Sequence, residues 1–225
     1  MATDMTALRA QLVETAAAIV KSGAISMSGH GNISIRVPGR DEIIYTAASS
    51  LANFQDQHIA RLRLDGSVLE GEVSPMSAAV ISMHIAIYEE KPDTGCVLHT
   101  HSPFATAFAV ANRPIECWIE ALAMFGLPKG VPVARYGPRG SEVAVANIRE
   151  AVVPGTPAVL LANHGVLVFH RSPELAVLVG GVVEEAAMAA INASAIGGPV
   201  AIPEELRAAA LQRAMAFEAE GTQRA

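Results

Sequence analysis

The chain has 225 residues, 51% hydrophobic and 17% charged, which is ample length and apolar content for a core that needs no disulfide staples. A net charge of −6, with no cluster of Lys and Arg, argues against a nucleic-acid partner. Cys96 and Cys117 are too few for a disulfide scaffold, the N-terminus lacks the pattern of a signal peptide, and every apolar stretch breaks short of the ~20 residues a membrane span needs. A cytoplasmic protein without a membrane partner is therefore expected. A mean hydropathy of +0.34 with so little charge also points either to apolar surface covered by partner subunits or to a well-filled core.

In chain order, "TALRAQLVETAAAIVKSG" places Leu8, Leu12, Ala16, Ile19 and Val20 on one helical stripe, with Gly23 as the C-cap. "GNISIRVPGRDEIIYTA" alternates around a Pro-Gly turn and predicts a β-hairpin, and "ARLRLDGSVLEG" repeats the pattern around Asp65-Gly66. "SAAVISMHIAIYEEKP" reads as a helix stopped near Pro92, and "TGCVLHTH" as a strand. "SPFATAFAVA" is a helix with Ser102 as N-cap and Pro103 at its first position. "PAVLLANHGVLVF" predicts two buried strands joined through Asn163-His164-Gly165. The long helix after it has Ser172 as N-cap, and a last helix runs from Pro203 to about Glu220. No repeat or linker divides the chain, so one domain over residues 1–225 is expected, a mostly antiparallel sheet covered by helices.

The chemistry concentrates in histidines. Residues i and i+2 of a strand share a face, so His99 and His101 project together with Val97, while Cys96 and Leu98 face away. Two imidazoles on one face can converge on a divalent ion, or each can be hydrogen-bonded separately in the core. His164, in a turn between buried strands, supplies a third imidazole, with Gly165 expected to let the backbone bend. Three neutral imidazoles with an open position describe a catalytic centre; zinc is the first choice of ion, with manganese, cobalt or iron as alternatives. His84 lies on the apolar side of its helix, either behind the metal ligands or as a core histidine. His30, beside a glycine turn, could touch a ligand, and His58 and His170 read as loop residues without a role.

"GNISIR", "HIAIYEEKPDTGCVLHTHSPFATA" and "LLANHGVLVF" followed by a long Glu-rich helix resemble the class II aldolase/adducin family, over about residues 8–195. The resemblance implies an α/β three-layer sandwich with a nine-stranded, mostly antiparallel central sheet flanked by helices. It further implies a homotetramer with active sites at subunit interfaces and a small-molecule substrate. His99, His101 and His164 occupy the positions of the family's metal ligands, one divalent ion per subunit, where the ion acts as a Lewis acid.

The departures from that family narrow the substrate. Members acting on sugar phosphates carry Pro-Ser-Ser-(Glu/Asp) before the helical histidine. Counting back from His84, this chain has Ser77-Ala78-Ala79-Val80, with Pro75 two residues too early. A second phosphate element, Thr-Pro-Ser/Thr-Gly, reads Thr46-Ala47-Ala48-Ser49. Gly31 and Asn32 remain, and with His30 and Thr46 they are the expected substrate contacts. Each lost charge-assisted bond to a phosphate costs about 1–3 kcal/mol, so an unphosphorylated substrate is expected. Val80 stands where family aldolases place their acid and base, and decarboxylation needs no such base, only one proton delivered after carbon dioxide leaves. Glu120 is the expected donor, with Glu116 and Glu72 as alternatives. Arg36 faces either a substrate carboxylate or a structural partner.

The expected function is a metal-dependent carbon–carbon lyase that decarboxylates a hydroxylated, possibly aromatic carboxylic acid. The alternative is aldol cleavage of a small hydroxy-keto or sugar-derived substrate, and a non-catalytic, adducin-like structural role comes third.

Overall fold

The computed structural model describes residues 4–48 and 50–223. Eight strands form its sheet: β1 (Gly31–Arg36), β2 (Glu42–Thr46), β3 (Ile59–Arg63), β4 (Val68–Glu70), β5 (Cys96–Thr100), β6 (Val133–Ala134), β7 (Ala158–Leu161) and β8 (Gly165–His170). Their order is β4-β3-β2-β1-β5-β8-β7-β6, and every pairing is antiparallel except β6 with β7. The expected nine strands are thus corrected to eight. Ile115 and Val131 make an isolated antiparallel bridge that does not lengthen into a strand. Pro114 and Pro132 flank the bridge and lack the N–H a ladder requires, and Gly130 at φ 79° turns the chain away.

Alternation along the strands produces two cores. Cys96 and Leu98 of β5 pack with Ile33, Ile35, Leu160 and Val168 on one face of the sheet. That face is covered by α1 (Met5–Ser22), α3 (Pro103–Val110), α4 (Glu120–Met124), α6 (Pro173–Ala193) and part of α7 (Glu204–Gln223). Val97 packs with Tyr45, Val159 and Leu167 on the other face, under α2 (Pro75–Glu90) and α5 (Glu142–Ala151). Helices, sheet and helices make the three layers.

Both hairpins form where the alternation predicts them, and Gly23 caps α1 at φ 78°. Val20, expected on the α1 stripe, is instead 38% exposed, because it lies about 100° around the helix from buried Ile19, and buried Thr15 completes the stripe. His170 is the last residue of β8 and not in a loop. His58 closes a one-turn 3₁₀ segment, where its ring nitrogen accepts from Gln55 N.

His84 is fully buried on α2. Its Nδ1 meets the Ser34 hydroxyl at 2.8 Å, and Tyr88 joins the same network by donating to Ser34 O. Burial holds this imidazole neutral, its pKa pushed down to about 3. Its Nε2 has no hydrogen-bond partner among the described residues. Of the two roles open to it, His84 is the core histidine.

The start of α3 departs from local capping. Ser102 holds the N-cap position, but its side chain caps nothing. Glu184 of α6 reaches across instead, its two carboxylate oxygens accepting from Phe104 N and Ala105 N at 2.8 Å each. A carboxylate satisfies two orphan donors there and complements the positive end of the helix. α3 begins directly after His101, so this contact anchors the chain leaving the histidine pair. Glu184→Ala is expected to lower unfolding stability by about 1–3 kcal/mol, since two buried N–H groups lose their acceptor. Glu184→Gln, with one oxygen and an opposing NH₂, should recover only part of that loss in a urea titration.

Candidate metal centre

β5 lies between β1 and β8, and its C-terminal end brings in the first two imidazoles, His99 within the strand and His101 just after it. His99 is 1% exposed and faces the α2 side, as Val97 does. Its Nδ1 lies 3.0 Å from Val166 O on β8. A carbonyl only accepts, so Nδ1 carries the proton and Nε2 keeps its lone pair. His101 follows the strand and brings its Nε2 to 3.1 Å from that of His99.

His164 reaches the pair from the β7–β8 turn. Its N–H donates to Leu161 O, and Asn163 takes the left-handed conformation at φ 57°, its N–H donating to Ala109 O at the end of α3. The His164 ring centroid lies 4.8 Å from that of His99 and 5.0 Å from that of His101, and the pair are 4.9 Å apart. One ligand nitrogen from each residue falls within 4.8 Å of the others. Three imidazoles at this spacing, one with its tautomer fixed by a backbone carbonyl, fit a divalent ion with a position left open.

Gly165 serves a different purpose from the expected one. Asn163 makes the bend, and Gly165 makes room: a Cβ there would lie 2.5 Å from Thr100 O and 2.8 Å from His101 Cδ2. Gly31 has the same role on the opposite side of β5, where a Cβ would meet His99 O at 2.7 Å. Any side chain at either position would push the strands apart at the level of the three imidazoles.

The imidazoles are held neutral. Burial lowers all three pKa values: His99 falls well below 6.5, His101 is lowered, and His164 is brought to about 4. After burial, the His164 and His101 rings contribute most for His99, and the Arg139 guanidinium contributes for His101 and His164.

A pocket opens over the cluster, lined by His30, Gly31, Asn32, Met76, Ser77, His99, His101 and Arg139. Three of the expected substrate contacts are therefore on its wall. The His30 Nδ1 pairs with the Ser28 hydroxyl at 2.9 Å, and its ring lies 6.3 Å from that of His101. Asn32 is 7% exposed and makes no side-chain hydrogen bond among the described residues, which leaves its amide for a ligand.

Two expected contacts are not brought to the pocket. Thr46 is fully buried, and its hydroxyl accepts from Ile33 N at 2.8 Å, stitching β2 to β1. Arg36 stands at the far end of β1, donating to Thr94 O and Tyr88 O with its guanidinium 4.8 Å over the Tyr88 ring. Its Nε and Nη2 are engaged by carbonyls of α2 and its following turn, which supports the structural of its two readings. Ser77, in the altered phosphate element, donates to Ala48 O, and Ser49 lies outside the described residues.

The expected proton donors are also elsewhere in this subunit. Glu120 is exposed at the first position of α4, on the opposite face of the sheet, and Glu116 and Glu72 are exposed too. Val80 is 1% exposed and packs into the α2-side core. Among the described residues, no carboxylate lines the pocket. Arg139 is the wall residue that sequence reading missed. Its Nη2 is 3.5 Å from His164 Nε2, and the signal in "YGPRGS" was only an arginine between two glycines.

Comparison with known proteins bears on this arrangement. Residues 10–191 match the Class II Aldolase and Adducin N-terminal domain family. The chain is 30% identical over 201 residues to 5-deoxy-D-ribulose 1-phosphate aldolase of Bacillus thuringiensis serovar kurstaki, covering 88% of this chain and 90% of that protein. It is 29% identical over 149 residues to 3-oxo-tetronate 4-phosphate decarboxylase of Haemophilus influenzae, covering 64% of this chain and 68% of that one. Among solved structures, an L-fuculose 1-phosphate aldolase superposes with a TM-score of 0.82 at 25% identity, over 91% of this chain and 94% of that chain.

Two outcomes follow for the centre. Gly165→Ala is expected to reduce bound divalent metal at least tenfold by elemental analysis, with circular dichroism showing the fold retained. On acidification, protons and metal compete for the same lone pairs, and depressed pKa values mean that protons win late. The pH of half-release should therefore fall below the 6.5 of an ordinary imidazole, toward the value of about 4 at His164. Half-release above 6.5 would contradict the burial of the cluster.

Proposed function

This chain belongs to the class II aldolase and adducin family and is a metal-dependent lyase, and from that premise we propose that it decarboxylates a hydroxylated, unphosphorylated carboxylic acid. We take one domain over residues 1–225 to carry the activity, with one divalent ion per subunit, zinc first, held by His99, His101 and His164. The observation that supports decarboxylation is the pocket wall: among the described residues it offers histidines, an amide and Arg139, and no carboxylate, with Val80 packed into the core. An aldol cleavage needs a base to remove a hydroxyl proton, and this wall supplies no carboxylate to do so.

When bound, the ion supplies a Lewis acid that polarises a substrate oxygen beside the bond to be broken. The chain's own groups do the rest. The Val166 carbonyl orients the His99 ring, and the Asn32 amide, without a protein partner, fixes a substrate oxygen. The carbon–carbon bond to the carboxylate breaks, carbon dioxide departs, and the electron pair left on the substrate takes up one proton. His30, held at Nδ1 by Ser28, is the group of this subunit placed to deliver it. Glu120, exposed on α4, is available to a neighbouring subunit's pocket in the homotetramer that we propose as the working assembly.

Retro-aldol cleavage of a small sugar-derived substrate is the second reading, and likeness to 5-deoxy-D-ribulose 1-phosphate aldolase favours it, together with the retained Gly31 and Asn32. The non-catalytic reading is set aside, since the named relatives are enzymes and the histidine cluster is intact. Metal-loaded protein offered a panel of hydroxylated carboxylic acids should release carbon dioxide, and offered phosphorylated ketoses should release no aldehyde. Aldehyde from a ketose phosphate, with no carbon dioxide from any acid, would establish the aldolase in its place.

A further inference from the structure

We propose that Arg139 determines specificity by receiving a substrate carboxylate beside the histidine cluster, so that the site takes a 2-hydroxy or 2-oxo acid in preference to a neutral sugar end. This rests on the reading of the pocket as a site for a hydroxylated acid, and it names where the acid is held.

The guanidinium is set against the cluster and lacks a counter-charge. Its Nη2 is 3.5 Å from His164 Nε2, and although the side chain is exposed, no carboxylate pairs with it among the described residues. The pocket it lines has no acid either. A dication on the same imidazoles adds repulsion between two cations at close range, and an anion within reach of both relieves it.

The backbone keeps Arg139 at this position. A Cβ at Gly137 would lie 2.5 Å from Ala144 N, so the loop is pressed against the start of α5. Gly140, at φ 75°, crosses α2 so closely that a Cβ would meet Ala79 O at 3.0 Å. Around Arg139, Ser141 N donates to Pro138 O, and the Ser141 hydroxyl accepts from Ala144 N at the start of α5. The loop is thus pinned on both sides, and its arginine, a planar fork matched to a carboxylate, projects to the pocket.

A guanidinium also receives phosphate, and the experiment separates the two. Zinc-loaded wild type, Arg139→Gln and Arg139→Lys are titrated calorimetrically with oxalate, inorganic phosphate and acetohydroxamate, a metal chelator without a carboxylate. Metal content is measured before and after. Arg139→Gln is expected to weaken oxalate by about 10- to 100-fold and leave acetohydroxamate within about threefold, with metal retained. Arg139→Lys, charged but without the fork, should recover part of the loss. Oxalate binding indifferent to Arg139, an equal loss for both chelators, or a loss confined to phosphate would each overturn the assignment. Binding does not depend on turnover, so the two proposals fail separately. Absent carbon dioxide release sinks the decarboxylase reading while Arg139-dependent oxalate binding stands, and the converse result sinks this one alone.

Discussion

Three imidazoles can share one ion only if each is neutral and each keeps a lone pair directed inward. The hydrogen bond from His99 Nδ1 to Val166 O is where the fold imposes that condition. It depends on β5 lying beside β8 in antiparallel register, Thr100 opposite Val166 and His99 opposite Leu167. It depends also on Gly165, since a methyl group there would separate the two strands at the level of the ligands. The hydrophobic faces of β5, with Leu98 to one core and Val97 to the other, hold this register, because a slip by one residue would exchange the two faces.

Around this hydrogen bond the site is built by elements that arrive from both layers. α3, whose N-terminus is capped by Glu184 from α6, follows His101 and closes on the His164 turn through Ala109 O. α2 contributes Ser77 and Met76 to the pocket wall, and the loop before α5 contributes Arg139. The result is a pocket whose fixed charge is positive and whose wall, among the described residues, holds no carboxylate. Such a wall favours anions without regard to what is done to them, which is why charge alone supports an acid as substrate and the missing carboxylate supports decarboxylation.

Much of the fold was legible because local signals were strong. Alternation around Pro38-Gly39 and Asp65-Gly66 announced the hairpins, and Ser172, Pro103 and Gly23 marked helix ends at the expected places. The segment from 112 to 157 was opaque. Its α4 is five residues long and its β6 only two, too short for any periodicity to accumulate. The nine-strand expectation came from the family resemblance, and the described residues form eight.

The sequence by itself put His99 and His101 on one face and His164 in a turn, since i, i+2 spacing in a strand is a local fact, and the tertiary structure brought the three together. The sequence also determined what is missing, because Val80 cannot act as an acid wherever it lies. Only the tertiary structure decided the surroundings. Arg36, at the end of a strand, and Glu120, on the far layer, were plausible by type and were placed away from this subunit's pocket. Arg139, unremarkable in sequence, was brought to His164 from 25 residues away, and Glu184 to α3 from about 80. Contacts between residues so far apart follow from which sheet faces and helices pack together, and that is a property of the whole core with no signature in the local chain.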